Sequence, residues 1–230
     1  MDPIVIKTSR LSKVYLETKV PVPALAEVDL EIHAGEFTAI VGPSGSGKTT
    51  LLNIIGGLDA PTAGEVMVGG HLLHQLSDRE LIGFRLHHIG FVFQAYNLIP
   101  VLTAQENIEF IMLLQKVPPR QRQLRARQLL EEVGLSDRMD SRPAELSGGQ
   151  QQRVAVARAL ASRPDFILAD EPTANLDSKS ADNLLAMMAD LNHQEQATFI
   201  FSTHDQRVID KARRVVTLED GRIVSDRRKA

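Results

Sequence analysis

The sequence predicts an α/β fold with a mostly parallel sheet, an antiparallel β-subdomain and an inserted α-helical subdomain. Three observations carry this. Strand-length apolar runs at Phe37–Val41, Phe166–Ala169 and Ala197–Ser202 end against Gly42, Asp170 and Thr203, as buried parallel strands do. Helix-period segments separate these runs, and alternating strands and helices build parallel sheets. From about residue 95 to 142, strand signals are weak and a charged amphipathic helix appears.

Taken in order, Ile4–Thr8 and Ala24–Ile32 read as short strands, the second alternating through Val28, Leu30 and Ile32. Phe37–Val41 reads as a buried strand, and residues 48–57 as a helix with Leu51, Leu52, Ile54 and Ile55 on its apolar side. Glu65–Leu72 reads as a hairpin around Gly69-Gly70. Arg120–Val133 is a helix that Gly134 closes. Gln151–Ala161 is a further helix, and Arg214–Val224 a strand–turn–strand about Asp220-Gly221. One motif set is present and no repeat, so residues 1–230 read as a single domain, with about 95–160 as its helical part.

Composition narrows the function. At 43% hydrophobic and 24% charged residues the chain is an ordinary globular one. A net charge of -3 gives no electrostatic case for nucleic acid as partner. The absence of cysteine excludes thiol catalysis, disulfides and cysteine-held metal. Met1–Arg10 has no long apolar core, so no secretory leader is expected. No run approaches the ~20 apolar residues of a membrane-spanning helix. A membrane role therefore requires other polypeptides.

Gly42-Pro-Ser-Gly-Ser-Gly-Lys-Thr49 fits the phosphate-loop pattern, and it lies after a predicted strand and before a predicted helix. Gly42, Gly45 and Gly47 let backbone N–H groups close on phosphate oxygens, and the helix that follows points its positive end at the same anion. Lys48 reaches the outer phosphates and Thr49 offers a hydroxyl to Mg²⁺. Pro43, Ser44, Ser46 and Thr50 belong to the same nucleotide site. The bland alternative, a glycine-rich turn with a solvated lysine, does not account for the flanking strand and helix.

Downstream, an apolar strand ends in Asp170 and Glu171. A rigid strand can deliver Asp170 to a metal and Glu171 to a water beside the γ-phosphate. Alone this is weak, since strands often end in acidic turns; after a phosphate loop it is strong. Leu146-Ser-Gly-Gly-Gln150 is rarer. Ser147, Gly148 and Gly149, with Gln150, open a helix and make a second anion clamp.

With these motifs in this order, the chain resembles the ABC transporter ATPase family over nearly its whole length. The resemblance implies a P-loop ABC ATPase core that hydrolyses ATP with Mg²⁺. It implies that Tyr15 stacks on adenine and that Gln94 touches metal or water and senses a permease. It implies that His204 contacts the γ-phosphate and that Asp177 lies in a loop crossing between subunits. Glu171, His204, Lys48 and Gln94 are then the catalytic set, and Thr49, Gln94 and Asp170 the metal set. A head-to-tail dimer follows, each ATP gripped by one subunit's phosphate loop and by Ser147 and Gly149 of the other.

Residues 93–107, Gly56-Gly-Leu-Asp59 and Glu171-Pro-Thr-Ala-Asn-Leu-Asp177 are similar to the MacB and lipoprotein-release (LolD) ATPases, Ala174 standing where that group usually has Gly. This implies a peripheral subunit on the cytoplasmic face of the inner membrane, paired with a separate MacB/FtsX-type permease for export, lipoprotein extraction or mechanotransmission. An importer ATPase and a permease-free soluble ABC ATPase are the alternatives. His87-His88 is read as surface rather than metal site, because adjacent residues point apart. Arg120, Arg122, Arg125 and Arg127 read as one exposed helix face, and Arg227–Lys229 as a frayed charged end.

Overall fold

A computed structural model describes residues 3–16 and 20–229; Met1 and Asp2, which belong to the stretch read for a leader, lie outside it. The chain opens with β1 (Ile4–Tyr15) and β2 (Val22–His33), then β3 (Phe37–Val41), α1 (Lys48–Ile55), β4 (Ala63–Val68) and β5 (His71–Leu72). Next come α2 (Asp78–His88), β6 (Ile89–Val92), α3 (Ala104–Leu114), α4 (Pro119–Glu132) and α5 (Gly148–Ala161). The last third is β7 (Phe166–Asp170), α6 (Ser178–Gln194), β8 (Thr198–Ser202), α7 (Gln206–Lys211), β9 (Arg214–Glu219) and β10 (Arg222–Arg228).

Two sheets result. One is antiparallel in the order β2-β1-β4-β5; the other runs β10-β9-β3-β8-β7-β6. The strands from β9 to β6 pair in parallel, and only β10 runs antiparallel to its neighbour. This is the mostly parallel α/β sheet that the apolar runs predict, with an antiparallel sheet beside it. Strand periodicity divides the interior into two cores. Phe37, Ala39, Ile167, Ala169, Phe199 and Phe201 face α3–α7. Ile40, Phe166, Leu168 and Ile200 face α1 and the antiparallel sheet. A strand covered on both faces is apolar at most positions rather than at alternate ones, with Thr38 a buried polar exception, which is why these runs show no alternation.

Pairing also fixes where the chemistry lies. Ile40 and Asp170 both register with Ser202, so β3, β8 and β7 end on one line. Ligands of open parallel sheets bind beyond this carboxyl edge.

Two readings of charge are corrected. Arg227 and Arg228 are in β10, and the Lys229 amide donates to the Arg213 carbonyl, so the tail is paired rather than frayed. Nor do the α4 arginines form one exposed face. Arg125 is buried and makes a bidentate pair with Glu195 at 2.8 and 3.0 Å, and Arg122 bonds Glu109 at 3.0 Å. The guanidinium and its long apolar stem serve as helix-to-helix packing. His87 and His88 do diverge: His87 Nδ1 meets the Gly83 carbonyl at 2.9 Å, and His88 stacks on Phe84 beside Asp165. No helix among the described residues is long and apolar enough to cross a membrane.

Candidate functional site

The groove at the carboxyl edge has a volume of about 620 Å³ and runs from Tyr15 and Val22 past the phosphate loop to Gln94, Glu171 and His204. Its floor is the turn from β3 into α1. Gly47 caps α1 with φ of +100°, a left-handed conformation that glycine adopts without strain, and a Cβ there would run into the Ala24 carbonyl. Gly42, Pro43, Ser44, Gly45, Lys48, Thr49 and Thr50 line the groove. Lys48 is nearly buried, and its Nζ donates to the Gly42 and Pro43 carbonyls at 2.8 and 2.9 Å. That places a positive charge over the loop rather than in solvent. Ser46 Oγ is buried without a partner among the described residues.

Opposite the loop stand the ends of β7 and β8. Thr49 Oγ1 lies 3.3 and 3.4 Å from the two Asp170 oxygens. A hydroxyl, a carboxylate and the nearby Gln94 form an all-oxygen donor set of the kind Mg²⁺ takes. Glu171 follows with φ of +46°, a costly conformation for a non-glycine residue, and its amide donates to the Ser202 carbonyl at 2.9 Å. Both oxygens of its side chain are engaged. His204 Nδ1 is 2.7 Å from Oε1, and Thr203 Oγ1 donates to Oε2 at 3.2 Å. An ionised carboxylate only accepts, so Nδ1 carries the proton and His204 Nε2 is left for the groove.

At the far end, Tyr15 OH donates to Asp59 Oδ2 at 3.0 Å, and Lys13 Nζ lies 4.9 Å from the ring centre. Burial raises the Asp59 pKa, but bonds from Lys13, Tyr15 and the Ala60 amide outweigh it and leave the pKa lowered.

The remaining candidates lie elsewhere. Ser147 caps α5 reciprocally with Gln150, its Oγ accepting from the Gln150 amide at 3.3 Å while Gln150 Oε1 accepts from Ser147 N at 2.8 Å. Gly148 lets this helix end close on Tyr96, whose hydroxyl a Cβ would strike, and Gly149 packs against Ser180. Asp177 caps α6 by accepting from the Ser180 amide at 3.0 Å, and the Ser180 bonds hold its carboxyl below the usual range. None of these lines the groove, so one chain brings the phosphate loop, Asp170, Glu171 and His204 together and leaves Ser147–Gln150 and Asp177 outside it.

Thr203 and Asp205, not among the sequence candidates, also belong to this end of the sheet. Asp205 accepts from Thr173 Oγ1 at 2.8 Å and from Arg207 Nη2 at 2.7 Å. The Arg207 guanidinium chiefly, then the Thr173 hydroxyl and the Arg207 amide, hold its pKa down to about 2 against the opposing effect of burial. The legible signal was the run Ser202-Thr-His-Asp205 at a strand end, with polar side chains able to reach back to the turn after Glu171.

Comparison with known proteins gives the family. The ABC transporter family profile matches residues 25–174. An ABC transporter ATP-binding protein of Thermotoga maritima is 50% identical over 211 residues, 92% of this chain and 90% of that protein. The lipoprotein-releasing system ATP-binding protein LolD of Chromohalobacter salexigens is 44% identical over 223 residues, covering 97% of this chain and 94% of the relative. The macrolide export ATP-binding/permease protein MacB of Marinobacter nauticus is 46% identical over 96% of this chain, which spans only 34% of that longer protein. Among solved structures, a dimeric ATP-binding cassette in a post-hydrolysis state with ADP and Pi superposes with a TM-score of 0.88 at 42% identity, covering 97% of this chain and 98% of that one.

Proposed function

Since the chain belongs to the ABC transporter ATPases, of the type that includes the MacB and LolD ATP-binding proteins, we propose that it is the motor of a membrane complex and works through a separate MacB/FtsX-type permease. As an ABC ATPase it binds and hydrolyses ATP. The observation that carries the residue roles is the carboxylate of Glu171, held by His204 and Thr203 across the groove from Lys48.

In this reading Glu171 is the general base that orients and deprotonates the attacking water. Thr203 and His204 hold the carboxylate so that one oxygen faces the reacting phosphate. Lys48 exchanges its carbonyl partners for phosphate oxygens, and the loop amides of residues 42–49 stabilise the charge that builds on them. His204 Nε2 positions the γ-phosphate. Tyr15 offers its ring to adenine. Thr49, Asp170 and Gln94 are the residues that would hold Mg²⁺, which when bound would neutralise phosphate charge. Ser147, Gly148, Gly149, Gln150 and Asp177 act on the nucleotide of a second subunit, head to tail. Their separation from the groove within one chain supports that assignment. Closure on two ATP molecules and reopening after hydrolysis supplies the stroke.

The place of work is the cytoplasmic face of the inner membrane, where the chain would sit peripherally. The likeness to LolD supports a transporter partner of that class. The test is a detergent pull-down of tagged Glu171→Gln protein with ATP. The expected catch is a permease with few membrane helices and a large extracytoplasmic part. A solute-binding importer complex, or ribosomes and soluble proteins alone, would overturn the partner and leave the ATP chemistry standing.

A further inference from the structure

Gln152 lies inside α5 and is 0% exposed. Its side-chain nitrogen donates to the Pro172 carbonyl at 2.8 Å and reaches the Phe93 carbonyl at 3.4 Å. Both partners are acceptors only, so the NH₂ end must face them. Oε1 is then buried without a hydrogen-bond partner among the described residues. An apolar side chain of the same length would fill this space without that cost.

The two carbonyls flank the machinery. Phe93 immediately precedes Gln94, and Pro172 immediately follows Glu171. Neighbouring bonds work on the same two segments. Asn175 Nδ2 donates to the Gln94 carbonyl at 3.0 Å, and Arg158, six residues along α5 from Gln152, donates to the Tyr96 carbonyl at 2.9 Å. Tyr96 and Asn97 both have positive φ, so this turn is held in shape rather than relaxed. One nitrogen on the helix that begins at Ser147 thus joins the turn carrying Gln94 to the turn carrying Glu171.

We propose that Gln152 is a positioning residue for hydrolysis, its NH₂ holding the Phe93 and Pro172 carbonyls so that Gln94, Glu171 and α5 keep one relative placement. This rests on the reading of Glu171 as the base. Gln152 touches no reacting atom. It acts by limiting where the carboxylate can sit, and small misplacements of a catalytic group are costly.

The test is Gln152→Met, which keeps length and volume and removes the donor. Steady-state kinetics should show kcat lower by about tenfold with KM for ATP within about twofold. The thermal midpoint should change little, because the unpaired oxygen goes while the Pro172 carbonyl loses its donor. Amide exchange over residues 93–97 and 173–177 should speed up together. Asn175→Ala, at an exposed position, gives a second variant that leaves the core intact. Because it loosens the same two segments, adding it to Gln152→Met should lower kcat by less than the product of the single effects. An unchanged kcat would overturn the proposal, as would a loss that tracks a falling midpoint or ATP affinity, or faster exchange in one segment alone. If Glu171→Gln kept wild-type turnover, the reading of Glu171 would fail instead. The exchange experiment would still decide whether Gln152 joins the two segments.

Discussion

His204 Nδ1 stands 2.7 Å from Glu171 Oε1, yet the histidine side chain is 76% exposed and the glutamate only 19%. If Glu171 is the base, the sheltered partner is the one that must keep its place, while the exposed histidine stands open to a ligand. Glu171→Gln keeps the shape and removes the basic oxygen. Hydrolysis should fall by about 10²- to 10³-fold while ATP still binds. Single-turnover hydrolysis beside equilibrium ATP binding checks this. Turnover near the wild-type level would remove Glu171 from the role of base.

Lys48 gives a contrasting expectation. Its ammonium rests on the Gly42 and Pro43 carbonyls, poised within the groove. Lys48→Ala removes a charge-assisted donor to phosphate, so ATP affinity should drop roughly ten- to hundredfold. Nucleotide titration by fluorescence or calorimetry reads it directly. Wild-type affinity in this variant would count against the groove as the phosphate site.

How much of this was legible beforehand differs by element. Phe37–Val41, Phe166–Asp170 and Thr198–Ser202 were readable because a strand buried on both faces leaves a mostly apolar run, interrupted here only by Thr38 and by polar residues at the ends. Helix α2 buries only Phe84 and so offers no apolar stripe to read, whereas α6 buries Ala181, Leu184, Leu185, Met188 and Leu191 at helical spacing and carries a readable one. Yet Ser77 with Glu80 at the start of α2, and Asp177 at the start of α6, are capping signals that a closer reading would have used. The Glu171–His204 contact was readable only as a motif order, since 33 residues separate the partners. The burial of Arg125 was not readable at all. Its partner Glu195 lies 70 residues away on another helix end, and local patterning is blind to that.

That arginine makes a stability prediction. Arg125 bonds Glu195 twice, at 9% and 23% side-chain exposure. Arg125→Ala leaves Glu195 half-covered and removes the stem that fills the space between α4 and the end of α6. Partial exposure of Glu195 lowers the cost below that of breaking a fully buried pair, to about 2 kcal/mol. The thermal midpoint should fall by roughly 4–8 °C, with ATP affinity unchanged. A midpoint within a degree of wild type would show the pair to be idle.

Asp205 predicts a pH dependence. Its folded pKa is held down to about 2, below the ordinary Asp value near 4. A depressed carboxylate pKa contributes stability that is complete above the unfolded value and is lost as pH falls through the folded one. The contribution of Asp205 should therefore vanish between about pH 4 and pH 2. Thermal midpoints across this range should fall more steeply for the wild type than for Asp205→Asn, and the two curves should converge at the acid end. Parallel curves would mean that the bonds from Arg207 and Thr173 stabilise nothing.

The separation of Ser147 from the phosphate loop allows a complementation experiment. If each nucleotide is held by Lys48 of one subunit and Ser147 of the other, a mixed dimer of Lys48→Ala and Ser147→Ala subunits places both defects at one site. Its second site then combines an intact loop with an intact Ser147. If instead each chain used its own Ser147, both sites of the mixed dimer would carry a defect. Tight ATP binding of one nucleotide per mixed dimer, purified through two different tags, is the expected result. Ser147→Ala alone also removes the α5 cap, worth about 1 kcal/mol. That loss is present in the mixed dimer and in the homodimer alike, so it cannot mimic recovery of a site. Binding no tighter than the average of the two homodimers would place Ser147 outside the partner's site.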